Sequence, residues 1–259
     1  MNNPEKNLQR DNRGCGAGKL FVVGIGPGGP LDRTRRAEKA IAESRIVVGY
    51  KRYLDLIADL TAGKDLISSG MTKETDRCLE AVRKADEGHT VALVSSGDSG
   101  IYGMAGLAVE LANREGKSFP IEIVPGITAA GAVAARLGAP LMLDFACISL
   151  SDLLVPWDTI RMRLEAVAAA DLVTALYNPR SKKRTGQLEE AAEIFRKYRD
   201  GTTPVGIGTA VGTDDERIVI SSLKSFLELD INMRSIVVIG NKSSKLIDGW
   251  FITPRGYRI

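Results

Sequence analysis

Short apolar runs alternate with stretches in which apolar residues recur at helical spacing along most of the chain. The runs at residues 19–25, 46–48, 91–94 and 121–124 predict strands, and residues 65–67 read as extended. Amphipathic stretches predict helices over 34–43, 51–60, 72–87 and 104–114. Asp32 or Thr34 is placed to cap the first helix and Thr72 or Thr75 the third. Strands that alternate with helices in this way predict an α/β domain with a largely parallel sheet. Past Pro125-Gly126 a helix built mainly from alanine is predicted over 128–137. Strands at 145–150, 172–176, 204–209, 217–220 and 235–239 follow, with helices at 158–169 and 184–198. A boundary near residues 119–126 divides the chain into domains over 19–122 and 123–259, after a polar, loose tail over 1–18.

With 259 residues and 44% apolar content, the chain can build two cores. Basic and acidic residues nearly balance, 35 against 32, which argues against nucleic-acid binding driven by bulk charge. No apolar run approaches the roughly 18 residues of a membrane helix, and nothing near the start resembles a secretion signal. A cytoplasmic protein without a membrane partner is expected. Cys15, Cys78 and Cys147 are too scattered for a disulfide framework. Cys78 and Cys147 read as small apolar residues, and Cys15 as a lone thiol in the tail. With His89 the only histidine, neither a zinc site nor a Ser-His-Asp triad has the residues it needs, and no metal is expected.

The chemistry therefore falls to the loops. Gly24-Ile25-Gly26-Pro27-Gly28-Gly29 matches a dinucleotide fingerprint literally. However, Pro27 and Pro30 remove backbone donors, and no acidic residue follows the second strand to hold a ribose. Ser95-Ser96-Gly97-Asp98-Ser99-Gly100 is a Gly-rich turn with one carboxylate at the carboxyl end of a strand, where open α/β sheets bind ligands. In Val124-Pro125-Gly126-Ile127-Thr128-Ala129 the threonine can cap a helix, or the helix amides can take a carboxylate. Tyr177-Asn178-Pro179-Arg180 and Thr209-Ala210-Val211-Gly212 also follow strands. Each is an ordinary turn taken singly; together they could converge on one ligand.

The ordered set GIGPGGP at 24–30, SGDSGIYGMA at 96–105, VPGITAA at 124–130, ISLSDLLVPW at 148–157, YNPRS at 177–181 and IVVIGN at 236–241 resembles the tetrapyrrole methyltransferases of vitamin B12 and sirohaem synthesis. The resemblance covers residues 19–259. Within that family, ISLSDLLVPW, YNPRSKKR and the terminal ITPRGY are similar to the C(17)-methyltransferases acting on precorrin-3B or cobalt-factor III. One position departs from the pattern: Ser99 stands where the family's G-D-P-G loop has proline, a looser residue that adds a donor.

The resemblance implies two α/β domains with mixed sheets, a cofactor cleft between them and a homodimer. It implies S-adenosylmethionine as cofactor and a tetrapyrrole as substrate, methylated at C(17) with contraction of the macrocycle through a lactone. Pro27, Gly97, Asp98, Ile101, Thr128, Ala129, Tyr177, Asn178, Ala210 and Val211 would line the cofactor, with Asp98 near its positive end. Ser149 and Asp152 are candidate groups for ring contraction, or else a helix cap. Arg180, Lys182 and Arg184, in a basic run with Lys183, are candidate clamps for substrate carboxylates, or else a solvated helix start. The alternatives are a sibling enzyme acting at another carbon such as C(11), a same-fold methyltransferase acting on RNA or diphthamide, and a nucleotide-binding regulatory protein using the Gly24 loop.

Overall fold

The computed structural model describes residues 18–70, 73–181 and 184–258. The expectations for the tail, Cys15, Thr72, Lys182 and Lys183 fall outside them. The described residues form two compact units, 18–26 with 33–127, and 27–32 with 128–258.

The first unit contains β1 (Lys19–Gly24), α1 (Arg35–Glu43), β2 (Ile46–Tyr50), α2 (Lys51–Asp55), β3 (Asp65–Ser69), α3 (Glu74–Asp86), β4 (Thr90–Ser95), α4 (Ala105–Arg114) and β5 (Ile121–Val124). Its sheet runs β3-β2-β4-β1-β5, and every neighbouring pair is parallel. Alternate residues of the same strand pack on opposite faces, as the pleat requires. Phe21, Val23, Val47 and Val94 meet Ala37, Ile41 and Leu54 of α1 and α2 on one face. Leu20, Val22, Val48 and Leu93 meet Cys78, Val82, Ala108 and Leu111 of α3 and α4 on the other.

Adjacent strands β1 and β4 thus lead to helices on opposite faces. That is the topological switch point at which open α/β sheets bind ligands, at the carboxyl edge. The expected helix over 51–60 is instead α2 and a 3₁₀ turn at Ala58–Leu60. Thr34 is the N-cap of α1, its Oγ1 accepting from the Ala37 N–H at 3.0 Å. Lys73 occupies the corresponding position of α3 and makes no side-chain cap bond.

The second unit contains α5 (Ala129–Leu137), β6 (Gly138–Ala139), β7 (Phe145–Ser149), α6 (Trp157–Ala169), β8 (Val173–Tyr177), α7 (Gln187–Arg196), β9 (Pro204–Thr209), β10 (Arg217–Ser222), β11 (Ser235–Ile239), β12 (Lys245–Ile247) and β13 (Trp250–Ile252). Its main sheet, β10-β9-β11-β8-β7, is mixed: only β7 and β8 run parallel. A small sheet orders β12-β13-β6. One face of the main sheet packs on α6 and α7 through Leu164, Leu188 and Phe195. The other packs on α5 through Ala130, Val133 and Leu137. A side chain at Gly206 or Gly208 would strike Leu137 or Val133 at 2.3–2.4 Å, so these glycines let the slim helix lie close.

Candidate functional site

Three loops of the first unit meet at its switch point. Gly26 and Gly97 form an isolated bridge, with Gly97 donating to the Gly26 carbonyl at 2.7 Å. Gly126 lies so near them that a Cβ there would sit 2.1 Å from the Gly97 carbonyl oxygen. Only glycine allows this backbone-on-backbone packing.

The Asp98 carboxylate organises the cluster. Its Oδ1 accepts from the N–H groups of Gly100 and Ile101, at 2.8 and 3.1 Å, and its Oδ2 from that of Gly126 at 2.9 Å. Charge-assisted bonds of this kind are the strong ones. Ser99 is wholly buried, and its Oγ donates to the Val124 carbonyl at 3.0 Å. The serine that replaces the family's proline thus restrains the loop by a hydrogen bond instead of a ring. Beyond it, Ile101 and Tyr102 are exposed, and Tyr102 holds φ 54°.

In the second unit the segment after Gly26 is fastened to the loop after β9. The Gly29 N–H donates to the Gly212 carbonyl, and Arg136 pairs with Asp32 at 2.7 Å and with Glu216 at 3.5 Å. Glu216 in turn accepts from the Gly212 N–H at 2.7 Å. This fixes Gly28 and Gly29, just after Pro27, against Val211 and Gly212. Ala210 itself holds φ 54°, a left-handed conformation that a β-carbon disfavours.

Tyr177 and Thr128 also meet: their hydroxyls lie 2.5 Å apart, and the Ala130 N–H donates to the Tyr177 hydroxyl at 3.1 Å. The expected cap by Thr128 is therefore not made, because a tyrosine from β8 takes the first-turn amide instead. Asn178 holds φ 51°, and its Nδ2 donates to Ser149 Oγ at 3.0 Å. Ser149 Oγ also accepts from the Ser151 N–H at 3.2 Å, which leaves its own proton available to a ligand.

The remaining candidates are already engaged. Asp152, exposed, accepts from Gln187 at 2.9 Å. Arg180 pairs with Glu189, and Arg184 donates to the Asn178 carbonyl at 2.8 Å. These two arginines brace the turn after β8. The expected helix over 184–198 is α7, Gln187–Arg196, which starts later than the pattern predicts, so that Arg180 and Arg184 both precede it. The roles of Glu216 and Arg136 escaped the sequence reading; their spacing from Gly212 and Asp32 carries no motif. Among the described residues no cluster of His, Cys, Asp and Glu could hold a metal ion, and no helix is long and apolar enough to cross a membrane.

The family model described as Tetrapyrrole (Corrin/Porphyrin) Methylases matches residues 19–227. A Priestia megaterium protein named cobalt-factor III methyltransferase is 47% identical over 93% of the chain, which spans only 45% of that longer protein. A Salmonella typhimurium protein named probable cobalt-factor III C(17)-methyltransferase is 44% identical over 93% of the chain and 100% of its own length. A crystal structure of the methyltransferase CobJ superposes with a TM-score of 0.86 at 36% identity, over 92% of this chain and 100% of that one.

Proposed function

Because the chain belongs to the tetrapyrrole (corrin/porphyrin) methylases, we propose that it methylates a precorrin-3B or cobalt-factor III type tetrapyrrole at C(17), coupled to ring contraction, with S-adenosylmethionine as the methyl donor. The observation that carries this reading is the glycine cluster at the switch point, locked by one carboxylate. Such a site offers close backbone approach and a negative charge to a zwitterion that also carries a sulfonium.

The residues present fit that donor. Asp98 keeps lone pairs beyond its three amide bonds. With Gly97 and Ile101 it would hold the amino-acid and ribose part. Thr128 and Ala129, at the start of α5, would present a hydroxyl and amides to the carboxylate. Pro27, Tyr177, Asn178, Ala210 and Val211 would border the remainder. When bound, S-adenosylmethionine supplies an electrophilic methyl carbon and leaves as the neutral thioether.

What this chain contributes is placement, and an in-line arrangement can lower a barrier by roughly 7–11 kcal/mol. The acceptor carbon of a reduced tetrapyrrole is electron-rich, so no histidine base is required. Ser149 holds a proton at Oγ for a substrate oxygen, and Asn178 fixes its direction. Asp152 stands three residues further on. The reading includes a cytoplasmic homodimer, with no nucleic acid or membrane as partner. Calorimetry of the purified chain with S-adenosylmethionine and, separately, NAD tests it. Saturable binding of the first alone is expected; binding of NAD alone would favour the nucleotide-binding alternative.

A further inference from the structure

A cavity of about 490 Å³ opens at the carboxyl ends of β2 and β3, lined by Tyr50, Lys51, Arg52, Asp55, Ser68, Ser69 and Gly70. It lies on the same edge of the first unit's sheet as the Gly97 loop, but none of the cofactor candidates lines it. Its charge is unbalanced. Lys51 pairs with Asp55 at 3.3 Å. Arg52 has no ion-pair partner among the described residues, and its side chain stands in solvent at the rim.

A third cation backs the wall. Arg77 is 4% exposed, donates from Nε to Ser69 Oγ at 2.8 Å and from Nη2 to the Gly70 carbonyl at 2.9 Å, and touches the Met104 sulfur at 3.5 Å. Among the described residues no carboxylate pairs with it. A buried guanidinium without a counter-ion is costly, and an anion nearby offsets that cost. Ser69 Oγ accepts from Arg77 and donates to no acceptor among the described residues, so its proton can be donated. Tyr50 is held edge-on against Tyr53, with ring centroids 5.2 Å apart, which fixes one side of the opening. Two lining cations with Arg77 behind them, and the hydroxyls of Ser68 and Ser69, stand against the single lining carboxylate of Asp55 and make an anion subsite.

We propose that this cavity takes a carboxylate-bearing arm of the macrocyclic substrate, with Arg52 and Lys51 pairing to the carboxylate and Ser69 donating to it. The inference rests on the tetrapyrrole reading above and deepens it by naming the group that the first unit recognises. It adds a first-unit clamp to the expected ones at Arg180, which pairs with Glu189, and Arg184, which donates to the Asn178 carbonyl. Arg77 is a positioning residue: it holds Ser69 and Gly70 in register with Met104, at the end of the Gly97 loop.

The test titrates the full chain with a metal-free octacarboxylate porphyrin, followed by porphyrin fluorescence, and with S-adenosylmethionine, followed by calorimetry. Arg52→Gln and the double variant Lys51→Gln/Arg52→Gln are compared with wild type. Loss of about tenfold in porphyrin affinity per cation removed, with donor affinity unchanged, is the expected result. Conservative Arg52→Lys should restore part of it, and the salt dependence of porphyrin binding should flatten in the double variant. Porphyrin affinity unchanged in both variants would overturn the subsite while leaving the methyltransferase reading intact. A wild-type chain that binds porphyrin but not S-adenosylmethionine would overturn that reading and leave the anion site standing.

Discussion

Asp98 Oδ2 accepts the backbone N–H of Gly126 at 2.9 Å, across 28 residues of sequence, while Oδ1 gathers the amides of Gly100 and Ile101. The carboxylate thus ties the loop after β4 to the end of β5. Asp98→Asn keeps one acceptor oxygen but turns an N–H toward an N–H. A stability loss of about 1–3 kcal/mol is expected, together with weaker donor binding. Denaturant unfolding and calorimetry on the same variant would check both. Unchanged donor affinity would remove Asp98 from the cofactor site.

Ser99 tests how the loop is restrained. Its buried hydroxyl serves the Val124 carbonyl, so Ser99→Ala leaves that acceptor without this donor. A drop of about 1 kcal/mol is expected, read as a lower denaturant midpoint at unchanged slope.

Tyr177→Phe removes the hydroxyl that meets Thr128 and receives the Ala130 N–H. The ring still fills its place in the core, so the variant should fold, with about 1–2 kcal/mol lost. Donor binding should weaken as the start of α5 loosens. Paired thermal melts with and without S-adenosylmethionine would show a smaller ligand-induced shift than in wild type.

Ala210 is held at φ 54°. Ala210→Gly relieves a conformation that costs an L-residue about 1–2 kcal/mol, less the added freedom of the unfolded glycine. The variant should be more stable by urea titration. A less stable variant would show that the alanine methyl contributes more by packing than the strain costs.

Burial pushes the Cys78 thiol up to about 12, and Cys147 is raised by the same cause. The thiolate is the reactive form. Native protein at pH 8 should therefore resist iodoacetamide at Cys78, with labelling appearing on unfolding or as pH approaches 12. Peptide mapping by mass spectrometry would read this directly.

Much of the first unit was legible because its inner strands β1, β2 and β4 are buried on both faces and read as plain apolar runs, and its helices carry clear stripes. The Gly97 turn was legible for the same reason: it follows such a run. The second unit was harder. The direction of β9, β10 and β11 leaves no trace in an apolar pattern. The exposed β12, Lys245–Ile247, lacks a run to mark it. At the site, residue types at strand ends pointed to the loops, but partners did not. That Asp98 reaches Gly126, that Tyr177 takes the place of a Thr128 cap, and that Arg180 is spent on Glu189 all depend on tertiary packing. The cavity beside Arg52 was invisible because Lys51 and Arg52 lie on α2 and Ser69 on β3, with no shared motif.

The most direct test of the central claim is carbon NMR of the product made from S-adenosylmethionine carrying a ¹³C-labelled methyl group, with metal-free or cobalt-loaded substrate. The account predicts one labelled methyl, attached at C(17) of a contracted macrocycle. Label at C(11) or another ring carbon, or none in the tetrapyrrole, would contradict it.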